Sequence, residues 1–396
     1  MAINKKEWFT IDEKPIYLAH GSFGGSFKIA YNSRLKWYEK LEQNPHNFLV
    51  NELFDELKKS RKVLSNYLDC SHNNLVYFPN PSTALNAVIR SLDLNQNDEV
   101  ITSNHEYGAL DKTWEFYSEK KGFKYKKVNI NLPFDNKQIL IDSFKKSINK
   151  NTKVIFLSHI TSSTALIFPV KEIIQIAKNN NILTIIDGAH APAQVKLSLS
   201  ELNPDIYVGA CHKWMCSPKG VSFLYAKDSI KDSIDPIIIS WGYKDQMFNE
   251  KSKFINNHQW QGTNDLSAYF TIPEVINFLK IQKWDKVSQE CHNLIVQTKD
   301  RFDDLNSSCE PTSRNNEHLG QMLSFKLNQS SEFLDLIKQD PSKIVELQKT
   351  IFSKTNIHIP IIWWNNFAYM RISIQAYNSQ SDVDKMFDML DYFNLL

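Results

Sequence analysis

Lys213 stands just past an apolar run, in the stretch Asp205-Ile206-Tyr207-Val208-Gly209-Ala210-Cys211-His212-Lys213-Trp214. A turn, Cys216-Ser217-Pro218-Lys219-Gly220, and a second apolar run, Val221-Ser222-Phe223-Leu224-Tyr225, follow. The pattern predicts strand, His-Lys, turn, strand, with the lysine at the end of a buried strand. Burial favours the neutral amine, and a neutral amine captures an aldehyde. A lone lysine otherwise reads as solvated surface. Asp187 ends another apolar run, residues 182–186. A carboxylate there is costly without a partner, so it either caps the next helix or faces a protonated ring nitrogen. An aldehyde-bearing ring that draws electrons only while its nitrogen is protonated describes pyridoxal 5′-phosphate (PLP). His105 and Ser162 lie just past two more apolar runs, residues 99–102 and 154–157. A flat side chain at the first of these ends, His105 or Tyr107, can lie on a cofactor ring.

The elements that must position these groups alternate. Strands are expected at residues 76–78, 99–102, 125–130, 154–157, 182–186, 205–208 and 221–225. Helices are expected at 26–41, 45–68, 110–120, 135–148 and 170–180, and another opens after Pro79-Asn80-Pro81-Ser82-Thr83. Apolar strands alternating with helices predict a parallel sheet covered on both faces. Ligands collect at the carboxyl ends of such strands. The start of the Ser82-Thr83 helix reads either as a cap or as an anion site. Tyr17-Leu18-Ala19-His20-Gly21-Ser22-Phe23-Gly24-Gly25 is a short strand breaking into a glycine-rich turn, either a ligand-approaching loop or a plain connection. A polar loop is expected between Tyr243 and Trp260. Beyond it, helices at 267–280, 291–305, 344–353 and 381–393 and strands at 322–327, 358–364 and 369–374 predict a smaller α+β domain.

With 396 residues, 42% hydrophobic and 23% charged, the chain is long enough for two domains. A net charge of +2 argues against a nucleic-acid binder. The basic run at residues 120–127 reads as a solvated helix end and edge strand. Five scattered cysteines show no disulfide framework and no metal-site spacing, which fits a reducing cytoplasm. No apolar run reaches membrane-span length.

Several stretches together resemble the class V aminotransferase superfamily of PLP enzymes, and within it the isopenicillin N epimerase-like branch. They are the glycine-rich turn from Tyr17, His105-Glu106-Tyr107-Gly108-Ala109, Asp187-Gly188-Ala189-His190-Ala191-Pro192, Cys211-His212-Lys213-Trp214, Pro218-Lys219-Gly220, Gln261-Gly262-Thr263 and Arg371-Ile372-Ser373. The resemblance implies PLP fold type I. A mostly parallel sheet of the seven-stranded type would occupy a large domain, 26–265, after an N-terminal arm, 1–25, and a small domain would span 266–396. It implies a homodimer with shared active sites. By it, Lys213 forms the Schiff base and shuttles protons at the substrate Cα, and Asp187 pairs with the ring nitrogen. His190 reaches the ring's phenolic oxygen, where cysteine desulfurases carry Gln, and His105 stacks on the ring. Ser82, Thr83 and His212 hold the phosphate, with Thr263 from the other subunit; Ser162 is placed with the cofactor. Tyr107 contributes an acid. Arg371 holds the substrate carboxylate, with His20 and Ser22 beside it. Ala210 departs from the serine of desulfurases, and Asn264 from the arginine usual in this branch. No cysteine occurs in residues 351–370, where a desulfurase needs one. The expected activity is epimerase-like or a C–S (β-elimination) lyase. A class V aminotransferase and a non-catalytic binding protein on the same scaffold are the alternatives.

Overall fold

The computed structural model describes residues 5–244, 252–305 and 308–396. Part of the polar loop expected after Tyr243, and residues 1–4 of the arm, therefore lie outside it. Seven strands form the main sheet: β1 (Leu75–Phe78), β2 (Glu99–Ser103), β3 (Lys124–Val128), β4 (Thr152–Ser158), β5 (Leu183–Gly188), β6 (Ile206–Ala210) and β7 (Ser222–Ala226). Their spatial order is β1-β7-β6-β5-β4-β2-β3. Only β7 runs against its neighbours, pairing antiparallel with both β1 and β6. This is the α/β architecture of PLP fold type I, as expected.

The apolar runs become strands because both sheet faces are covered. One apolar core carries Ile101, Ile155, Leu157, Ile186 and Tyr207, and the other carries Val100, Phe156, Ile185 and Val208. Neighbouring positions along each strand thus feed opposite cores, as the pleat requires. The basic run lies where it was expected, on the end of a helix (Gly108–Lys121) and on edge strand β3. Left-handed Gly122, with φ at +83°, stops that helix. Register places Ser158 beside Asp187, and Asp187 beside Val208. The carboxyl ends of β4, β5 and β6 therefore converge.

A second sheet joins β8 (Glu310–Pro311), β9 (Met322–Lys326), β10 (Ile361–Trp364) and β11 (Phe367–Ser373) in the order β10-β11-β9-β8, all antiparallel. The β10–β11 turn is Asn365-Asn366, at φ +49° and +65°. Two left-handed residues are what a tight two-residue hairpin needs. Helices Trp284–Asp304, Ile344–Thr355 and Gln380–Tyr392 bury Ile295, Leu347, Ile351, Met386 and Leu390 in a core of their own with this sheet. The N-terminal segment adds Ile16–Tyr17 beside Ile357–His358 in parallel, and then crosses to the lysine. Gly24 is required there: its φ is +69°, and a Cβ would lie 2.0 Å from the His212 carbonyl oxygen.

Among helices longer than one turn, Lys253–Gln259 and Glu332–Gln339 were not anticipated. The first is rich in Asn and Gln and reads as loop, but burial of Phe254 and Ile255 holds it. The helix expected over 45–68 contains a wider π-turn at Phe48–Glu52 before Leu53–Tyr67.

Candidate active site

Lys213 Nζ lies 3.1 Å from His190 Nε2. His190 Nδ1 in turn receives the indole N–H of Trp214 at 3.3 Å. Burial pulls the Lys213 amine down to about 8; the Arg371 cation adds to this and Asp187 opposes it. Asp187 is buried at the end of β5, and one carboxylate oxygen accepts the Ala189 N–H at 2.9 Å. Burial pushes its carboxyl pKa up, while that hydrogen bond and Lys213 hold it down. Its other oxygen has no partner among the described residues.

Arg371 on β11 is 3% exposed. One terminal nitrogen donates to the Ser162 carbonyl at 2.5 Å and the Ser162 hydroxyl at 3.2 Å, and the other donates to the Ser22 hydroxyl at 2.9 Å. Nε has no partner, and among the described residues no carboxylate pairs with the guanidinium. Burial brings its pKa down to about 10. A buried cation held only by neutral oxygens has the donors and the charge to pair with a carboxylate. Ser22, Ser162 and Arg371 thus come together, although Ser162 serves the arginine.

Two expected roles are corrected. His105 is 0% exposed. Its ring nitrogens are engaged by the Thr164 hydroxyl at 2.9 Å and the Ile130 carbonyl at 2.8 Å. Its ring is packed by Trp364 at 4.6 Å and Phe168 at 5.7 Å. No face is left for a cofactor ring. Tyr107, 45% exposed and close enough to raise the Arg371 pKa, is the accessible flat side chain of that segment. His20 is also fully buried, with both ring nitrogens engaged, which leaves none to offer a substrate. It donates Nε2–H to the Lys213 carbonyl at 3.1 Å and accepts the Tyr377 hydroxyl at 2.9 Å, so it supports the lysine's loop.

At the Pro81–Ser91 helix the cap is Asn80, whose side chain accepts the Thr83 N–H at 2.8 Å and the Thr83 hydroxyl at 2.9 Å. Both Thr83 donors are thereby committed, and the Ser82 hydroxyl remains free for an anion. His212 donates Nδ1–H to the Val221 carbonyl at 2.9 Å. Its other nitrogen must take up a proton before it can donate to a phosphate. Thr263 lies on an exposed loop lining a different pocket, with Tyr77 and Tyr269.

Glu106 was missed. Its carboxylate joins the ends of β2 and β4, accepting the Ser103 hydroxyl at 2.5 Å, the Ser158 N–H at 2.8 Å and the Ser158 hydroxyl at 2.6 Å. Burial pushes it up to about 8 despite these donors, and Asp187 adds to the rise. A folded-state pKa above the unfolded value means the folded chain holds a proton that the unfolded chain releases. Glu106 should therefore withdraw stability as pH rises from its ordinary 4.5 to about 8. Glu106→Gln is expected to melt higher than the parent at alkaline pH, with the difference shrinking on acidification. Melting curves across pH check this; a constant or inverted difference would reject it.

An amine and a carboxylate thus stand at the ends of adjoining parallel strands, beside a buried arginine with no acidic partner among the described residues. The chain belongs to the class V aminotransferase family, whose profile matches residues 30–386. Isopenicillin N epimerase of Amycolatopsis lactamdurans is 25% identical over 399 residues, covering 98% of this chain and 97% of that one. The probable chloroplastic L-cysteine desulfhydrase of Arabidopsis thaliana is 23% identical over 403 residues, covering 94% and 81%. The cystine C–S lyase C-DES, solved with its product cysteine persulfide, superposes with a TM-score of 0.80 at 17% identity, covering 96% of this chain and 98% of that one. A variant of C-DES was solved with glycine covalently linked to its PLP cofactor. Family and fold neighbours together imply PLP here. The free groups fit it: an amine with its pKa drawn down to about 8 for the aldehyde, an open Asp187 oxygen for the ring N–H, and the Ser82 hydroxyl for the phosphate.

Proposed function

We propose that the protein is a PLP-dependent enzyme that labilises the Cα proton of an amino acid, leading to epimerisation or to β-elimination with C–S cleavage. The observation that carries this is the pairing of a buried Lys213 amine, its pKa drawn down to about 8, with a buried Arg371 that has no acidic partner among the described residues. Bound PLP would supply an electron sink for the charge left at Cα. Arg371 receives the substrate carboxylate by two parallel N–H donors. That contact fixes the amino group and Cα relative to Lys213, which moves the proton at Cα. Asp187 keeps the ring nitrogen protonated, and His190 donates Nε2–H toward the phenolic oxygen. Ser82 and His212 hold the phosphate. Tyr107 offers a second acid, needed for inversion but not for elimination.

The β10–β11 hairpin bears on the desulfurase alternative. Its turn is two residues long and carries no cysteine. The Cys211 and Cys216 thiols are buried, with their pKa values pushed up by burial. Neither is suited to carry sulfur. Exposed Phe23, Ile29, Leu35 and Trp241 support the expected homodimer, in which Thr263 would reach the partner's phosphate site. Five free cysteines support a cytoplasmic location.

Purified protein should be yellow, and borohydride should bleach it while fixing a pyridoxyl group on the Lys213 peptide. Colourless protein that takes up no PLP would favour the binding-scaffold alternative. Incubation with candidate amino acids in deuterated water separates the reactions. Cα exchange with inversion supports epimerisation. Keto acid with ammonia, or sulfide, supports elimination. A keto acid formed only with an amino acceptor supports transamination.

A further inference from the structure

Trp214 follows Lys213 in the chain and is fully buried. Its indole nitrogen can only donate a hydrogen bond. With that N–H 3.3 Å from His190 Nδ1, Nδ1 must be bare. The single proton of the neutral imidazole then sits on Nε2, and Nε2 is 3.1 Å from Lys213 Nζ. An N–H aimed at nitrogen needs a lone pair, which a neutral amine has and an ammonium lacks. We propose that Trp214 is a positioning residue: by occupying His190 Nδ1 it fixes the His190 tautomer, and so biases the Lys213 amine toward its neutral, nucleophilic form.

The surroundings keep this relay in register. The His20 ring packs on the Trp214 ring with centroids 4.9 Å apart. His20 also holds the Lys213 carbonyl at 3.1 Å, so both ends of the Lys213-Trp214 unit are pinned by histidines. The charged groups facing the amine are Arg371, which disfavours the ammonium, and Asp187, which favours it. Burial above all keeps the His190 imidazole neutral, and the facing groups Lys213, Arg371, His20 and His212 add to this. A neutral imidazole has one proton to place, and among the described residues the indole is the ring's one partner besides Lys213, so it decides where that proton goes. Without the indole, His190 can turn its bare nitrogen toward Lys213 and accept from an ammonium instead.

The inference rests on the proposed function only for the purpose of the amine. Its proton state can be measured in the full chain freed of cofactor. In histidine-¹⁵N-labelled protein held above pH 8, where the Lys213 amine is mostly neutral, long-range ¹H–¹⁵N spectra should show His190 as the Nε2–H tautomer. The Nδ1–H tautomer would overturn the proposal without any variant. In Trp214→Phe, the pH dependence of reductive methylation at the Lys213 peptide should move up by about one unit, a roughly tenfold loss of neutral amine at a given pH. An unmoved titration in a folded variant would equally overturn it. In a His190→Gln background the same substitution should add nothing to the Lys213 titration, and an undiminished shift there would count against the relay. A chain that passes these tests but never binds PLP keeps the relay and refutes the proposed function; a PLP enzyme that fails them does the reverse.

Discussion

Lys213→Ala is expected to lower turnover of any amino-acid substrate by about three orders of magnitude, in line with loss of a general acid–base group, while leaving the fold intact. Among the described residues the side chain makes one hydrogen bond, to His190, and none that joins elements of the fold beyond that pair. Its loss leaves the Asp187 and Arg371 contacts untouched. PLP should still bind through Ser82, His212 and Asp187, but borohydride should no longer fix it to the chain. Added ethylamine should restore part of the rate, since the missing function is an amine at one position. An unchanged rate in the variant, with pyridoxyl still fixed elsewhere on the chain, would remove the basis of the proposed mechanism.

Lys213 and Asp187 were legible in the sequence because continuous apolar runs mark strands buried on both faces, and both residues follow such runs directly. All seven strands of the main sheet lie within a few residues of their expected positions for the same reason. What the sequence did not contain was direction. His105, Glu106 and Tyr107 all follow one strand. Which of them enters the site depends on how the chain turns after β2. His105 turns into the core against Trp364, Glu106 turns back toward β4, and Tyr107 opens to solvent. His20 shows the same problem: its glycine-rich surroundings read as a ligand loop, yet its ring is spent on holding the Lys213 carbonyl. The Asn80 cap was hidden by the hydroxyl pair after it, since Ser82, Thr83 and Asn80 are all good acceptors at a helix start. Glu106 gave no signal because a lone glutamate past a strand reads as solvated. Its burial is set by serines brought from two different strands.

Arg371→Met should separate stability from function, moving them in opposite directions. The guanidinium is buried, its Nε is unpartnered, and no carboxylate balances its charge among the described residues. Such a cation is a standing cost to the folded chain. A methionine of similar length removes that cost, and the oxygens it abandons, on Ser22 and Ser162, belong to partly accessible residues that water can satisfy. The ligand-free variant should therefore melt higher than the parent, by roughly 1–3 °C. Its kcat/KM for an amino acid should fall by about two to three orders of magnitude, as expected when one partner of a desolvated charge pair is removed. Arg371→Lys keeps the charge but loses the two-point geometry, so its rate should fall between the two. A primary amine without a carboxylate discriminates further: parent and Arg371→Met should bind it equally, because the arginine has nothing to grip. A variant that melts lower and binds amino acids as tightly as the parent would show that Arg371 holds the domain together rather than the substrate. The contrast follows from one fact of the structure, that this charge is buried with no carboxylate beside it among the described residues.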